Sequence, residues 1–244
     1  MDPSHISALL EPFLESPLTS TQLNQISTYI DLLLRWNARI NLTAIRNPEQ
    51  IVERHFGESL FLARHLFPKA NIDDCSKLRA QRSELVRVLD IGSGAGFPAL
   101  PIRIWAPEIH LTMIESNHKK AAFLREAVRA LTLTNVNVIA QRAESIAPEK
   151  ASAALTIPGS LPGSGTLPAN ASEVPQTADI VTFRAVEKFS QVLPQALRFL
   201  TPTGALALLI TEPQLKELQT LPFRAWSKYT VPQSHQRVVV IGTN

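Results

Sequence analysis

The residues with the clearest chemical potential form a glycine-rich turn between an apolar segment and a predicted helix. Residues 86–98 read Val-Arg-Val-Leu-Asp-Ile-Gly-Ser-Gly-Ala-Gly-Phe-Pro, which is a short strand followed by the pattern D-x-G-x-G-x-G. Glycine has no Cβ, so such a turn lets the backbone bend sharply and approach a ligand closely. The helix that follows offers unpaired N–H groups to a polar or anionic ligand. The sequence therefore predicts a binding site for a small polar molecule, and a turn that binds nothing is the alternative.

The spacing of the glycines discriminates between ligands. A dinucleotide fingerprint has the spacing G-x-G-x-x-G, but Phe97 occupies the third glycine position counted from Gly92, and Gly96 comes one residue early. Because Asp90 stands two residues before Gly92, the pattern resembles motif I of the class I methyltransferases, which use S-adenosylmethionine (SAM). This resemblance implies that the turn, including Gly94, binds SAM.

An acidic residue in the next predicted strand fits the same site. Residues 110–116 are predicted to be this strand, and Glu115 lies at its end, 23 residues after Gly92. An acid about 20 residues beyond such a turn accepts hydrogen bonds from ribose hydroxyls. A solvated glutamate is the alternative. Ala143 and Glu144 follow a third predicted strand and are expected beside the adenine ring, although this pair alone favours neither reading.

The end of the fourth predicted strand, residues 178–186, is expected to face the methyl acceptor. Arg184 lies there, and its guanidinium could bind a carboxylate or a phosphate through two donors, or could instead pair with a structural acid. The chain has no Asn/Asp-Pro-Pro-aromatic sequence of the kind that suits an exocyclic amine. Cys75 is the only cysteine, which excludes a thiolate mechanism at pyrimidine carbon 5 unless Cys75 lies in the site.

The composition is that of a globular enzyme. The 244 residues suffice for a full core, with 45% hydrophobic and 18% charged residues. Residues 205–210 are a six-residue apolar run, far short of the roughly 20 that span a membrane. The lack of a basic segment before an apolar run predicts no signal peptide, and the single cysteine suggests a reducing compartment, so we expect a cytoplasmic protein. The net charge of +3 permits a nucleic-acid partner without requiring one.

The elements that position these residues are predicted in two regions. Residues 1–67 are expected to form an N-terminal helical region, with a capping box at Thr19 and Gln22 and a second helix start at Asn47. Residues 68–244 are expected to form the SAM-binding domain.

Within the second region, strands alternate with helices from residue 86 onward, which predicts a parallel sheet covered on both faces. The last two strands, near residues 226–231 and 237–241, are too close for a crossover helix and should be antiparallel. The fold is therefore predicted to be α/β and Rossmann-like, with a mostly parallel seven-stranded sheet, a C-terminal antiparallel hairpin and an N-terminal helical extension.

Residues 150–177 differ from the rest of the chain because they are rich in Ala, Ser, Pro and Gly without periodicity. Such a composition buries too little apolar surface to offset the entropy of ordering. We expect a disordered-like insertion in a surface loop.

At this point the chain resembles one family, the bacterial RsmG (GidB) methyltransferases, from about residue 20 to 241. The resemblance rests on these segments, in this order: Arg35-Trp36-Asn37, Asn41-Leu42-Thr43, Arg54-His55, Glu58-Ser59, Asp90 to Pro98, and Arg184-Ala185. It implies methyl transfer from SAM to N7 of one guanine in the decoding-region loop of 16S rRNA. It also implies SAM contacts at Gly92, Phe97, Ala143, Glu144 and Arg184. Two departures are Glu58, where the family commonly has Asp, and Ile210-Thr211, where many members have Lys-Gly.

The implied chemistry requires positioning more than proton transfer. Guanine N7 carries a free lone pair, so no base must remove a proton, and the reacting atoms need an in-line approach at about 3–3.5 Å. We therefore assign no catalytic base and no metal, and Arg184 is the candidate electrostatic contact. His55 is expected to be a packed, hydrogen-bonded histidine.

Two groups of basic residues are candidate RNA contacts, although charged faces are often only solvated. They are Arg35, Arg39, Arg46 and Arg54 in the N-terminal region, and Lys119, Lys120, Arg125 and Arg129 in the helix after Glu115. The expected partner is 16S rRNA or the assembling small ribosomal subunit, bound by a monomer. Two alternatives are a small-molecule methyltransferase, which would not need the Trp36 to Thr43 block, and a non-catalytic RNA-binding protein with the same fold.

Overall fold

The computed structural model describes residues 1–68, 85–146, 177–184, 189–234 and 236–243. In these residues one seven-stranded sheet has the strand order β3-β2-β1-β4-β5-β7-β6. The strands are β1 (Val86–Ile91), β2 (Ile109–Ile114), β3 (Val136–Ile139), β4 (Ala178–Arg184), β5 (Leu200–Thr211), β6 (Ala225–Thr230) and β7 (Arg237–Thr243).

The directions of the strands confirm the predicted α/β fold. Strands β1 to β5 pair in parallel, whereas β7 is antiparallel to both β5 and β6. Asp90 of β1 is in register with Met113 of β2 and Thr182 of β4. The C-terminal ends of these strands therefore lie at one edge of the sheet, here called the carboxyl edge. Because β7 is antiparallel, its first residue, Arg237, also lies at this edge, opposite Thr211.

Helices flank the sheet. They are α1 (Pro3–Leu10), α2 (Ser20–Asn37), α3 (Pro48–Ile51), α4 (Glu58–Leu66), α5 (Ala99–Trp105), α6 (His118–Ala130) and α7 (Phe189–Arg198). The capping predictions are confirmed: Thr19 and Gln22 form a capping box, and the side chain of Asn47 accepts from the backbone N–H groups of Glu49 and Gln50. None of the described helices is long and apolar enough to cross a membrane.

Two details differ from the sequence-based expectations. The sequence predicts a fifth strand from Gly204 to Thr211, but β5 begins four residues earlier, at Leu200, because its start also pairs with the start of β4. The single helix predicted from Pro48 contains a π-helical segment, Val52–Gly57, between α3 and α4. Such π-helical turns inside α-helices are frequently found at functional sites. The predicted insertion up to residue 176, Cys75 and Ala185 lie outside the described residues.

The core has two parts because successive strand residues point to opposite faces of the sheet. Val88 packs with the N-terminal helices, in a cluster that includes Ile6 and Phe123. The next residue, Leu89, packs with Phe199 on the other face. The N-terminal helices thus share a hydrophobic core with the sheet. The division of the chain after residue 67 stays a prediction.

Candidate cofactor and nucleic-acid site

The glycine turn is fixed to the end of the neighbouring strand. The backbone N–H groups of Gly92 and Ser93 donate to the carbonyl oxygen of Ile114, at 2.8 and 3.1 Å. The φ angles of Gly92, Gly94 and Gly96 are +70°, +55° and +85°, in the region that disfavours other residues. Only glycine adopts these angles without strain, so the pattern recognised in the sequence reflects the backbone geometry.

Glu115 supports this turn from the end of β2. Its carboxylate is only 6% exposed and accepts from the backbone N–H of Gly94 at 2.8 Å and of Asn117 at 2.7 Å. A carboxylate has about four acceptor positions, so two of them are left for other donors. Glu115 is therefore a built part of the turn and is not a solvated strand-end glutamate.

A cleft of about 180 Å³ opens at the carboxyl edge beside the turn. It unites three of the predicted residues, Gly92, Ala143 and Glu144, with Ser116 after β2. Its far wall is α7, through Val192 and other residues. Residues from the ends of three neighbouring strands thus meet in a concave site, which is where open α/β sheets bind ligands.

Gly92 and Gly94 face this side of the turn with space beside them. A Cβ on Gly92 would meet no heavy atom within 4 Å, and one on Gly94 would meet only the carbonyl oxygen of Gly92, at 3.8 Å. These two positions therefore leave room for a ligand against the backbone.

Gly96 and Phe97 face the opposite way, into the N-terminal helices. A Cβ on Gly96 would overlap the hydroxyl of Tyr29 and lie 2.7 Å from Leu100 Cδ1. The Tyr29 hydroxyl donates to the carbonyl of Ala95, and its ring stacks on Phe97 with centroids 5.3 Å apart. Gly96 and the Phe97 ring thus pack the turn against α2, and sequence reasoning had no signal for Tyr29.

The Trp36 to Thr43 block of the N-terminal region is also connected to the turn. The Asn37 side-chain oxygen accepts from the N–H groups of Leu42 and Thr43, at 2.8 and 3.0 Å. The Thr43 hydroxyl lies 2.7 Å from His55 Nε2, and the His55 ring stacks on Phe97 at 4.8 Å. The block therefore connects the end of α2 to the glycine turn through His55.

His55 is the packed, hydrogen-bonded histidine that was expected. Burial, together with the charges of Arg184, Arg237 and Arg54, lowers its pKa from 6.5 to about 3. The imidazole is therefore neutral at physiological pH.

Arg184 lies in a buried ionic cluster, here called the Glu58 cluster, with Arg54 and Arg237. Glu58 is 2% exposed and accepts from Arg184 Nη2 at 2.8 Å, Arg237 Nη1 at 2.7 Å and Arg54 Nε at 3.2 Å. The Arg184 side chain is 7% exposed and also donates to the carbonyl of Arg54. The structural acid considered as an alternative for Arg184 is thus present. Three cations share it, however, which a merely structural pair does not need.

One residue of this part of the site, Arg237, was not found by sequence reasoning, whereas Thr182 lies in the strand end that was expected to face the acceptor. Arg237 lies 179 residues from Glu58, and only the pairing of β7 with β5 brings it to the carboxyl edge. Thr182 donates its hydroxyl to Asp90 Oδ1 at 2.7 Å. Burial raises the pKa of Asp90 from 3.8 to about 7.

Some members of the two groups of basic residues lie close together in the structure. Gln25 of α2 donates to the carbonyl of Leu131 just after α6, whereas Trp36, near the end of α2, packs on Phe123 with centroids 5.8 Å apart. The two helices therefore run antiparallel, which brings the end of α2 to the start of α6. Exposed Arg35 lies in α2 and exposed Arg39 follows its end, whereas Lys119 and the half-buried Lys120 come from α6.

The sheet order and the cleft beside a glycine turn define a protein of the class I methyltransferase fold. A solved Klebsiella pneumoniae protein, proposed to be an O-methyltransferase, has a similar fold, with a TM-score of 0.53 at 15% identity over 88% of this chain and 90% of that chain.

Sequence comparison identifies the family. The family described as GidB, rRNA small subunit methyltransferase G, matches residues 22–159, and the chain belongs to it. Ribosomal RNA small subunit methyltransferase G of Roseiflexus castenholzii is 34% identical over 195 residues, 77% of this chain and 68% of that protein. The protein of the same name from Chloroflexus aggregans is 40% identical over 130 residues, 53% of this chain and 48% of that protein. The chain thus spans about half the length of some of the curated relatives that it matches.

Proposed function

We propose that this protein transfers a methyl group from SAM to N7 of a guanine in the decoding-region loop of 16S rRNA. The observation that carries the proposal is the cleft at the carboxyl edge, where a glycine turn held by Glu115 meets Ala143 and Glu144. The names of the family and of its curated members support an rRNA substrate of the small subunit.

The residues around the cleft fit SAM. The open space beside Gly92 and Gly94 lets a ligand come close enough to the backbone to accept hydrogen bonds from the N–H groups of the turn. The free acceptor positions of Glu115 suit the two hydroxyls of a ribose. Ala143 is buried beside Glu144 at the mouth of the cleft, an environment suited to an adenine ring. Together with Arg184 for the carboxylate, these residues form the proposed cofactor site.

The protein needs to orient the reactants and does not need to move a proton. SAM, when bound, supplies a methyl group on a positively charged sulfur. Guanine N7 has a free lone pair, so the contribution of the site is an in-line approach of the two atoms to about 3–3.5 Å. The lowered pKa of His55, about 3, makes its imidazole a weak proton acceptor, and its Nε2 is already bonded to Thr43, so His55 is a poor candidate for a general base. We therefore assign positioning roles to the turn and to the helices that pack on it.

The RNA is proposed to approach over the N-terminal helices. Exposed Arg35, Arg39 and Lys119 lie where the end of α2 meets the start of α6, and Lys119 is three residues after Ser116, which lines the cleft. Basic residues of this kind supply the salt-dependent part of RNA affinity. We place the protein, as a monomer, in the cytoplasm, where small subunits assemble.

The experiment is a map of N7-methylguanine in 16S rRNA from cells with and without the gene. We expect one position to lose its methyl group and to regain it when purified protein and SAM are added to the rRNA or subunits. Identical maps would refute the proposed function. A Gly94→Val variant serves as the control that lacks the cofactor site.

A further inference from the structure

The Glu58 cluster carries more positive charge than a structural ion pair needs. Arg54, Arg184 and Arg237 all donate to one carboxylate, and His55 beside them is neutral, which leaves a net charge of about +2. Glu212, the first acidic residue after β5, is paired with Lys228 at 2.5 Å.

One nitrogen of the Arg184 guanidinium also lacks an acceptor in the described part of the chain. Its Nη1 is buried and has no hydrogen-bond partner among the described residues. Burial lowers the pKa of Arg184 to about 10, and Arg237 and Arg54 act in the same direction, whereas Glu58 raises it. A buried donor without a partner costs free energy, and an added anion would relieve that cost.

The outer two arginines are accessible to a ligand. The Arg54 side chain is 49% exposed and the Arg237 side chain is 28% exposed, whereas Glu58 beneath them is 2% exposed. Both guanidiniums contact the same carboxylate, Arg54 at Oε1 and Arg237 at Oε2, so they are held side by side and keep further donors for a ligand. Arginine donors are arranged as a fork that matches the oxygens of a phosphate.

The Glu58 cluster lies at the carboxyl edge of the sheet, as does the cleft proposed for SAM. Arg184 ends β4, next to the strand that leads into the glycine turn, and Arg237 begins β7 at the same carboxyl edge. His55, whose pKa responds to these arginines, stacks on Phe97 of the turn. An anion at the cluster would therefore lie at the same edge of the sheet as the cleft proposed for SAM.

We propose that Arg54 and Arg237 together bind one phosphodiester of the RNA substrate, close to the nucleotide that is methylated. Glu58 holds the two side chains in place, and Arg184 is the inner cation left for the cofactor. The inference rests on the proposed function, because it takes RNA as the substrate. It adds a defined phosphate contact formed between the N-terminal helices and the C-terminal hairpin.

The test compares Arg237→Gln with a matched control, Arg224→Gln. Arg224 is an exposed arginine whose backbone pairs with Thr243 at the opposite edge of the sheet. Binding of an unmodified 16S rRNA fragment is measured between about 50 and 200 mM salt, because each phosphate contact on a single strand contributes about 0.7 to the slope of log K against log salt. We expect Arg237→Gln to reduce the slope by about this amount and the affinity about tenfold. Arg224→Gln should change neither by as much.

Two further variants make the result specific. Arg54→Gln should repeat the effect of Arg237→Gln, whereas Arg237→Lys should keep the slope, since the charge remains, and lose part of the affinity. The SAM dissociation constant, measured by calorimetry on the same samples, should stay unchanged in Arg237→Gln. If Arg237→Gln has the same salt slope as the wild type, the inference is overturned. If that unchanged slope is accompanied by weaker SAM binding, the cluster is assigned to the cofactor carboxylate instead.

The same RNA separates this inference from the proposed function. Methylation by the wild type, together with a slope that does not depend on Arg237, refutes the phosphate site alone. RNA binding that depends on Arg237, without methylation at any guanine N7, refutes the proposed reaction alone. An absence of binding by the wild type refutes both.

Discussion

The three glycines of the turn share a conformation but differ in their surroundings, so equal substitutions should have unequal effects. We compare Gly94→Ala with Gly96→Ala. Both residues have positive φ angles, +55° and +85°. An alanine at position 94 would enter open space, whereas one at position 96 would overlap Tyr29 and Leu100.

The magnitudes follow from these contacts. At position 94 the cost is the left-handed backbone alone, about 1–2 kcal/mol. At position 96 the same strain is joined by overpacking, about 1–3 kcal/mol, and by loss of the hydrogen bond from Tyr29 to Ala95, about 1 kcal/mol. In a protein of this size 1 kcal/mol corresponds to about 2–4 °C in melting temperature. Gly94→Ala should therefore melt only a few degrees lower, and Gly96→Ala roughly 10–20 °C lower.

Binding should show the reverse order. We expect folded Gly94→Ala to bind SAM weakly, and Gly94→Val not at all, because the new side chain occupies the space proposed for the cofactor. Gly96→Ala, measured well below its melting temperature, should retain more affinity per folded molecule. Calorimetry with SAM and thermal unfolding on the same samples give both quantities. Wild-type SAM affinity in folded Gly94→Val, or equal melting temperatures for the two alanine variants, would refute the reasoning.

Three other predictions concern the side chains around the turn. Arg184→Ala should lose methyl transfer far more than stability, because Glu58 keeps its ion pairs with two other arginines. Arg184→Lys should restore only part of the activity. Normal methyl transfer per folded molecule in the alanine variant would remove Arg184 from the site. His55→Gln should keep methyl transfer per folded molecule and should be less sensitive to acid. Because the pKa of His55 is lower in the folded protein, its stabilising contribution is complete above pH 6.5 and is lost as the pH falls towards about 3. If the free energies of unfolding of the wild type and the variant run parallel over this pH range, the assignment is contradicted. Replacing Lys119 and Lys120 by Gln should lower the salt slope of RNA binding by about 1.4 without changing SAM affinity, and an unchanged slope would place the RNA elsewhere.

Much of the fold and part of the site were predictable because their signals are local. The strand, turn and helix around Gly92 follow from residue types within a dozen positions, and the short gap before β7 requires an antiparallel hairpin. The capping side chain of Asn47 works within one helical turn. In each case backbone sterics and hydrogen bonds to near neighbours decide the conformation, so a single sequence contains the information.

The pattern also placed Gly92, Ala143 and Glu144 correctly at one edge, since parallel strands end on the same side of a sheet. It did not distinguish Gly94, which borders open space, from Gly96, which packs on Tyr29. That difference depends on a helix more than 60 residues earlier in the chain.

The ionic cluster was beyond the reach of sequence reasoning for the same reason. Glu58, Arg184 and Arg237 are brought together by the order of the strands and by the packing of α4 on the sheet. The sequence determined which segments become strands, helices and turns, because those choices depend on neighbours along the chain. Only the tertiary structure decided which cations share one buried carboxylate, because desolvation and Coulomb interaction depend on distances in space that no local pattern fixes.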